Sequence, residues 1–150
     1  MLTKTHVAIS VFFILVLLGH VNNQVVFVSV ALIATLLPDV DSKFSFMGRR
    51  KTFRVFQWFV KHRGIIHSFT FLLLFTLFFV LFLPVVALPF FLGYGLHLLS
   101  DSFTVEGIKP FYPYEKTSSW KIRTGGKTEM GVFVIFVLAD LFLLLVMIFN

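Results

Sequence analysis

Five apolar stretches order the chain, at residues 7–19, 25–37, 65–83, 85–103 and 131–149. Two longer basic loops, 38–64 and 104–130, separate them into groups. The last three stretches suit helices that cross a hydrocarbon core, which takes about 20 residues. The first two are shorter, and are expected to tilt, to thin the bilayer locally or to form a re-entrant hairpin. In each case the chain returns to its starting side. The pattern predicts an all-α integral membrane protein, a single domain over residues 1–150 built as a bundle of about five transmembrane helices. Within 49–63, Phe53, Phe56 and Val60 recur at helical spacing among basic residues, which predicts an interfacial amphipathic helix. The first stretch does not read as a signal peptide: its basic region is Lys4 alone, and residues 19–23 lack a small-x-small cleavage pattern.

Composition agrees. Hydrophobic residues make up 58% of the 150 residues and charged residues 13%, too little polar surface to solvate a globular domain. There are no cysteines, which excludes disulfides and thiolate metal sites. Any metal is left to His, Asp and Glu. The net charge of +6 has a positional explanation. With alternating segments, all 13 Lys and Arg fall in the N-terminal residues, in 38–64 and in 104–130, and the opposite side has none. That asymmetry predicts a cytoplasmic N-terminus and an outside C-terminus in the cell membrane. The basic loops then meet anionic headgroups of the cytoplasmic leaflet, and nucleic acid is not needed to account for the charge.

Against this background, a few polar residues stand out. His97 and Asp101 are four apart near the end of the fourth stretch, so on a helix they share a face. Asp39 and Asp41 follow Pro38 at the end of the second stretch, where a helix C-terminus is already negative and a carboxylate wants a cation. His62 and His67 flank Gly64, whose freedom to bend the chain lets both converge on one ion. His6 opens the first stretch. The topology read from Lys and Arg puts all seven at the cytoplasmic ends of their segments, and leaves His20 on the other side. Ionisable groups in this setting are costly and are usually paired or functional. Their number predicts two or more divalent ions, or one ion whose imidazoles are oriented by further carboxylates. Glu129, before the last segment, is a candidate ligand or general base. Asp140, midway along the last segment, is expected to be hydrogen-bonded or protonated inside the bundle.

Three blocks carry a family resemblance: Leu36-Leu37-Pro38-Asp39-Val40-Asp41, His62-Arg63-Gly64-Ile65-Ile66-His67-Ser68, and Gly93-Tyr94-Gly95-Leu96-His97-Leu98-Leu99-Ser100-Asp101 running on through Thr104 and Gly107. Together with His6 and the Gly-rich approach to Glu129, they resemble the LexA-regulated membrane-bound metal-dependent hydrolases. Val105 departs from the pattern, which has Pro there. The His-x-x-x-Asp block is also similar to one in the zinc-dependent phospholipase C and single-strand nuclease class. The resemblance implies a hydrolase using a divalent metal, zinc foremost and manganese or magnesium as alternatives. His6, Asp39, Asp41, His62, His67, His97 and Asp101 are the expected ligands. Asp39, Asp41 or Glu129 is the expected base, and Arg63, Arg49 or Lys109 the expected partner of an anionic phosphoryl oxygen. Headgroup depth points to a lipid or lipid-linked phosphoester as substrate. Three rivals stand beside it: a non-catalytic metal-binding scaffold, a transporter, and an intramembrane peptidase, for which the His-Glu-x-x-His motif is missing.

Overall fold

The structure is a computed structural model that describes residues 1–41 and 65–149. The expected interfacial helix at 49–63, with Arg49, His62, Arg63 and the side chain of Asp41, lies outside the described residues. Five α-helices and no strand form among those described: α1 (Thr3–Leu18), α2 (Gln24–Leu36), α3 (Phe69–Phe82), α4 (Pro84–Ser102) and α5 (Lys127–Phe149).

Local chemistry sets the helix limits. The Asn23 side chain accepts from the Val26 amide and starts α2, and Ser68 accepts from the Phe71 amide and starts α3. Pro84 takes the first position of α4, where its missing N–H costs nothing. Short 3-10 turns, Pro38–Asp41 and Ile65–His67, sit after α2 and before α3. The third apolar stretch thus divides into a turn and a helix of 14 residues. This is shorter than the membrane-crossing helix expected there, because the Ser68 cap fixes the start beyond Ile65 and Ile66. Among the described residues, α4 with 19 residues and α5 with 23 are long and apolar enough to cross a membrane. The 16 residues of α1 span about 24 Å at 1.5 Å per residue, short of a core of about 30 Å.

Contacts fix the helix directions. Thr5 meets Glu129 and Phe12 meets Phe136, so α1 and α5 run parallel. Ser10 meets Thr35, while Ile14 packs with Phe27 and Ala31, so α2 runs back along α1. Phe71 stacks on Tyr94 and Phe79 meets Phe90, making α3 and α4 antiparallel. Gly93 lies against Ala31 and His97 against Thr35, so α4 parallels α2. Direction therefore alternates, and one end of the bundle collects the starts of α1, α3 and α5 with the ends of α2 and α4.

The core lies between α2, α3 and α4, where Leu72, Phe90, Tyr94, Leu98 and Ile108 are buried together. In contrast, α5 packs on α1 and leaves nearly all its apolar surface outward: 6% of its most apolar window is buried. The loop 103–126 folds back over the polar end. Ile108 plugs into the core, the Phe69 amide donates to the Pro110 carbonyl (2.8 Å), and Thr104 and Ile108 bridge to Ile122 and Ser118. Gly107 has φ +62°, and a Cβ there would stand 2.2 Å from the Ser118 carbonyl oxygen, so only glycine fits. The Val105 amide donates to the Ile122 carbonyl (2.9 Å), a bond that the Pro of the resembled pattern could not make.

The tightest helix contact is at Gly93, where a Cβ would come within 2.0 Å of the Ala31 carbonyl oxygen. Backbone cannot yield as a side-chain tip can. Gly93→Val should therefore destabilise the folded protein by about 3 kcal/mol, read as a lowered thermal midpoint in detergent. Gly19→Val, which meets nothing within 4 Å, serves as the control. Equal midpoints for the two variants would mean that α2 and α4 are not in close contact.

Candidate metal centre

Four elements deliver side chains to the polar end. His6 comes from the first turns of α1, Asp39 from the turn after α2, His67 from the turn before α3, and His97 with Asp101 from the last two turns of α4. His6, His67, His97 and Asp101 are almost fully buried, at 1%, 2%, 1% and 3% exposure. Asp101 is the hub. Its Oδ1 lies 3.2 Å from His6 Nε2 and also receives the Met1 amino group. Its Oδ2 lies 3.6 Å from His97 Nε2 and 3.9 Å from His67 Nε2. His97 Nε2 is 3.8 Å from Asp39 Oδ1. The His6 and His97 rings stack with centroids 3.9 Å apart, and His67 meets His97 edge-on.

The second contact of His97 decides what its ring can do. Its Nδ1 lies 2.7 Å from the Thr35 carbonyl oxygen, which can only accept, so Nδ1 carries the proton. Its Nε2, on the other side of the ring, is buried and has no hydrogen-bond partner among the described residues. A backbone carbonyl behind the ring and an open nitrogen in front is the arrangement that metal-ligating imidazoles use. Thr35 is itself held: its hydroxyl donates to Ser10 Oγ and the Ala31 carbonyl, both at 2.8 Å.

The donor set fits a small divalent ion. Two groups of three, His6–His97–Asp101 and Asp39–His67–His97, have ligand atoms within 4.8 Å of one another. A tetrahedral ion at about 2.0–2.1 Å from its ligands sets them roughly 3.3 Å apart, and the separations above, 3.2 to 3.9 Å, lie close to that. Neutral nitrogen and carboxylate donors suit zinc and its neighbours. Only one nitrogen of His97 is open, so it can serve one ion, and a second ion would depend on the two oxygens of Asp101.

Of the residues singled out from sequence, His6, Asp39, His67, His97 and Asp101 come together. Asp41 lies in the same turn as Asp39, but its side chain is outside the described residues, as are His62 and Arg63. Glu129 belongs to neither group. Its carboxylate accepts from the Leu2 amide (2.6 Å), the Thr5 hydroxyl (2.9 Å) and the Gly125 amide (2.6 Å), tying the start of α1 to the start of α5. Lys109 pairs with Glu115 at 3.2 Å on the exposed loop. Asp140 is buried along α5, and its Oδ1 has no hydrogen-bond partner among the described residues. Thr35, Ser10 and Thr5 were not anticipated from sequence. Their signal was faint: hydroxyls inside otherwise apolar stretches.

Membrane-length helices with a buried His and carboxylate cluster at one end define a helical membrane protein with donors grouped as around an ion. The chain belongs to the YdjM inner membrane protein family, which it matches over residues 1–149. Neither curated proteins nor solved structures gave a match.

The shared position of His97 yields a graded expectation. His97→Ala removes a donor from both groups, and an added zinc ion held by them would bind roughly 10- to 100-fold more weakly. His6→Ala spares the Asp39–His67–His97 group and should weaken zinc binding less. Chelator competition on the purified protein measures both, and a His6 loss as large as the His97 loss would contradict the ranking.

Proposed function

We infer that this protein is a membrane-bound metal-dependent hydrolase acting at the cytoplasmic face on a lipid or lipid-linked phosphoester. One observation carries the reading: His97 is fixed through Nδ1 on the Thr35 carbonyl and presents a buried, unpartnered Nε2 to the Asp39 and Asp101 carboxylates. A side chain that was only packing would have both nitrogens satisfied or the site filled with apolar groups. His6, His67, His97, Asp39 and Asp101 would hold the ion, with Asp41 and His62 as further candidates from the motifs.

A divalent ion supplies Lewis acidity, polarising the scissile group and lowering the pKa of water toward neutrality. The protein's own groups do the rest. Asp39 has 15% side-chain exposure against 4% for Asp101, so it is the carboxylate of the cluster that water reaches. It is placed to take a proton from water as general base. Asp101 would share the ion with the imidazoles, its two oxygens standing 3.2 to 3.9 Å from the Nε2 atoms of His6, His97 and His67. Arg63, beside His62 in the motif, is the candidate partner of an anionic phosphoryl oxygen.

The alternating helix directions and the one-sided Lys and Arg favour a topology in which the polar end faces the cytoplasm and the C-terminus lies outside. In that reading α1, α2 and α3 cross with local thinning or tilt. A non-catalytic metal-binding scaffold is the second reading, favoured by the near-complete burial of the cluster, since structural sites are closed. A conduit needs polar groups along its length, and the His and carboxylate groups that come together, His6, Asp39, His67, His97 and Asp101, gather at one end, with Asp140 alone midway along α5 among the described residues.

The absence of cysteine makes topology easy to test. Single cysteines at Asn22 and Lys116 should react with a membrane-impermeant maleimide from opposite sides in oriented vesicles. Labelling of both from one side would overturn the topology. For the chemistry, metal content of the purified protein by mass spectrometry comes first, then phosphate release from long-chain phosphoesters. Stoichiometric metal is expected, with hydrolysis abolished by chelation and reduced at least about 100-fold in His97→Ala and Asp39→Ala. A protein that neither carries nor takes up metal sinks the hydrolase reading. Bound metal without turnover on any phosphoester supports the scaffold.

A further inference from the structure

Beside the His and Asp cluster, an apolar groove of about 290 Å³ opens between α1, α4 and α5. Its walls include Ile9, Phe13, Leu96, Leu99, Val132 and Phe136. That volume is close to the lower end for pockets that hold small molecules, about 300 Å³. The groove and the cluster share their framework. Ile9 stands one turn beyond His6 on α1. Ser100, on the groove wall, adjoins Asp101. Met1 lines the groove while its amino group rests on Asp101.

Two features say what the occupant is. Two of the three helices that form the groove, α4 and α5, are the membrane-length helices, and Leu99 on its wall is 48% exposed. In a family of inner membrane proteins, an apolar opening at this place faces hydrocarbon. At the polar end, Ile122 lines the groove between Lys121 and Arg123, both exposed. The apolar walls thus end beside two exposed cations and next to the donor cluster, as the tail of an anionic lipid ends at its phosphoester.

We propose that this groove binds the hydrocarbon tail of an anionic lipid substrate and so places its phosphoester at the His and Asp centre. The proposal rests on the hydrolase reading for the word substrate, and on the groove alone for the lipid. It makes the groove the determinant of tail recognition, with Leu99 and Val132 as specificity residues.

The test uses the full chain in phosphatidylcholine nanodiscs and a long-chain alkyl phosphate carrying a diazirine in its tail. After photolysis, mass spectrometry should find label concentrated on the groove residues of α1, α4 and α5. Filling the groove with Val132→Trp, or independently with Leu99→Trp, should lower that label about tenfold. Leu138→Trp, on the exposed face of α5, should leave it unchanged. Label spread evenly over the outward faces of α3 and α5, or undiminished in both filled variants, overturns the groove and identifies ordinary lipid contact. Phosphate release in the same samples separates the two ideas. Focused label without release keeps the groove as a lipid site and counts against hydrolysis of this phosphoester. Release with dispersed label does the reverse.

Discussion

Asp101 sits with its carboxylate among three imidazoles inside an apolar bundle, and most of the fold answers that placement. A buried carboxylate costs several kcal/mol unless positive charge or hydrogen bonds reach it. No Lys or Arg side chain approaches it among the described residues; the Met1 amino group does, and His6, His67 and His97 stand 3.2 to 3.9 Å from its oxygens, where an ion would bind all four. Each imidazole comes from a different element, α1, the turn before α3 and α4, so the three reach Asp101 only if the polar ends of those elements coincide. The turn after α2 adds Asp39, and Thr35 anchors His97 from behind. Alternating helix direction is what lets four elements meet at one end. The short helices fit the same demand, because each starts or stops where its polar residue must reach the centre.

Much of this was legible in the chain. The apolar stretches located the five described helices, and the positions of Lys and Arg sorted His6, Asp39, His67, His97 and Asp101 to one end. His97 and Asp101 were readable as a pair because i and i+4 on a helix share a face. His6, Asp39 and His67 were readable only as a set, since each alone resembles an interfacial residue. What the sequence could not supply was distance in space. It gave no means of ranking Glu129 against Asp39, because both are carboxylates at helix ends on the same side. Only packing shows that three donors hold Glu129 as a clamp between α1 and α5, while Asp39 faces His97.

Helix length was harder to read, for a local reason. Hydropathy cannot see a cap: Ile65, Ile66 and Phe69 are alike in apolarity, yet the Ser68 hydroxyl divides them between a turn and a helix. Thr35 was missed for a related reason. Its contribution to the centre is a backbone carbonyl, which every residue has; its hydroxyl, the only part visible in sequence, serves Ser10 and Ala31 instead. Carbonyl orientation of a ligand is thus a property of helix packing, and close packing of α2 on α4 at Gly93 is what permits it.

The same packing bears on why the centre stands at an end of the bundle. A hydrolytic site needs water, and water is plentiful only near the headgroups; a lipid substrate needs hydrocarbon along its tail. A site at midplane meets the second need and fails the first, while a site on an extended loop does the opposite. The observed centre lies where both are within reach: Asp39 partly exposed on one side, the groove along Ile9, Leu96 and Val132 on the other. A scaffold that used metal only to tie helices together would have no use for the groove, and a conduit no use for the one-ended cluster. The two features together favour chemistry on a membrane lipid over either rival, because that reading alone gives each of them work.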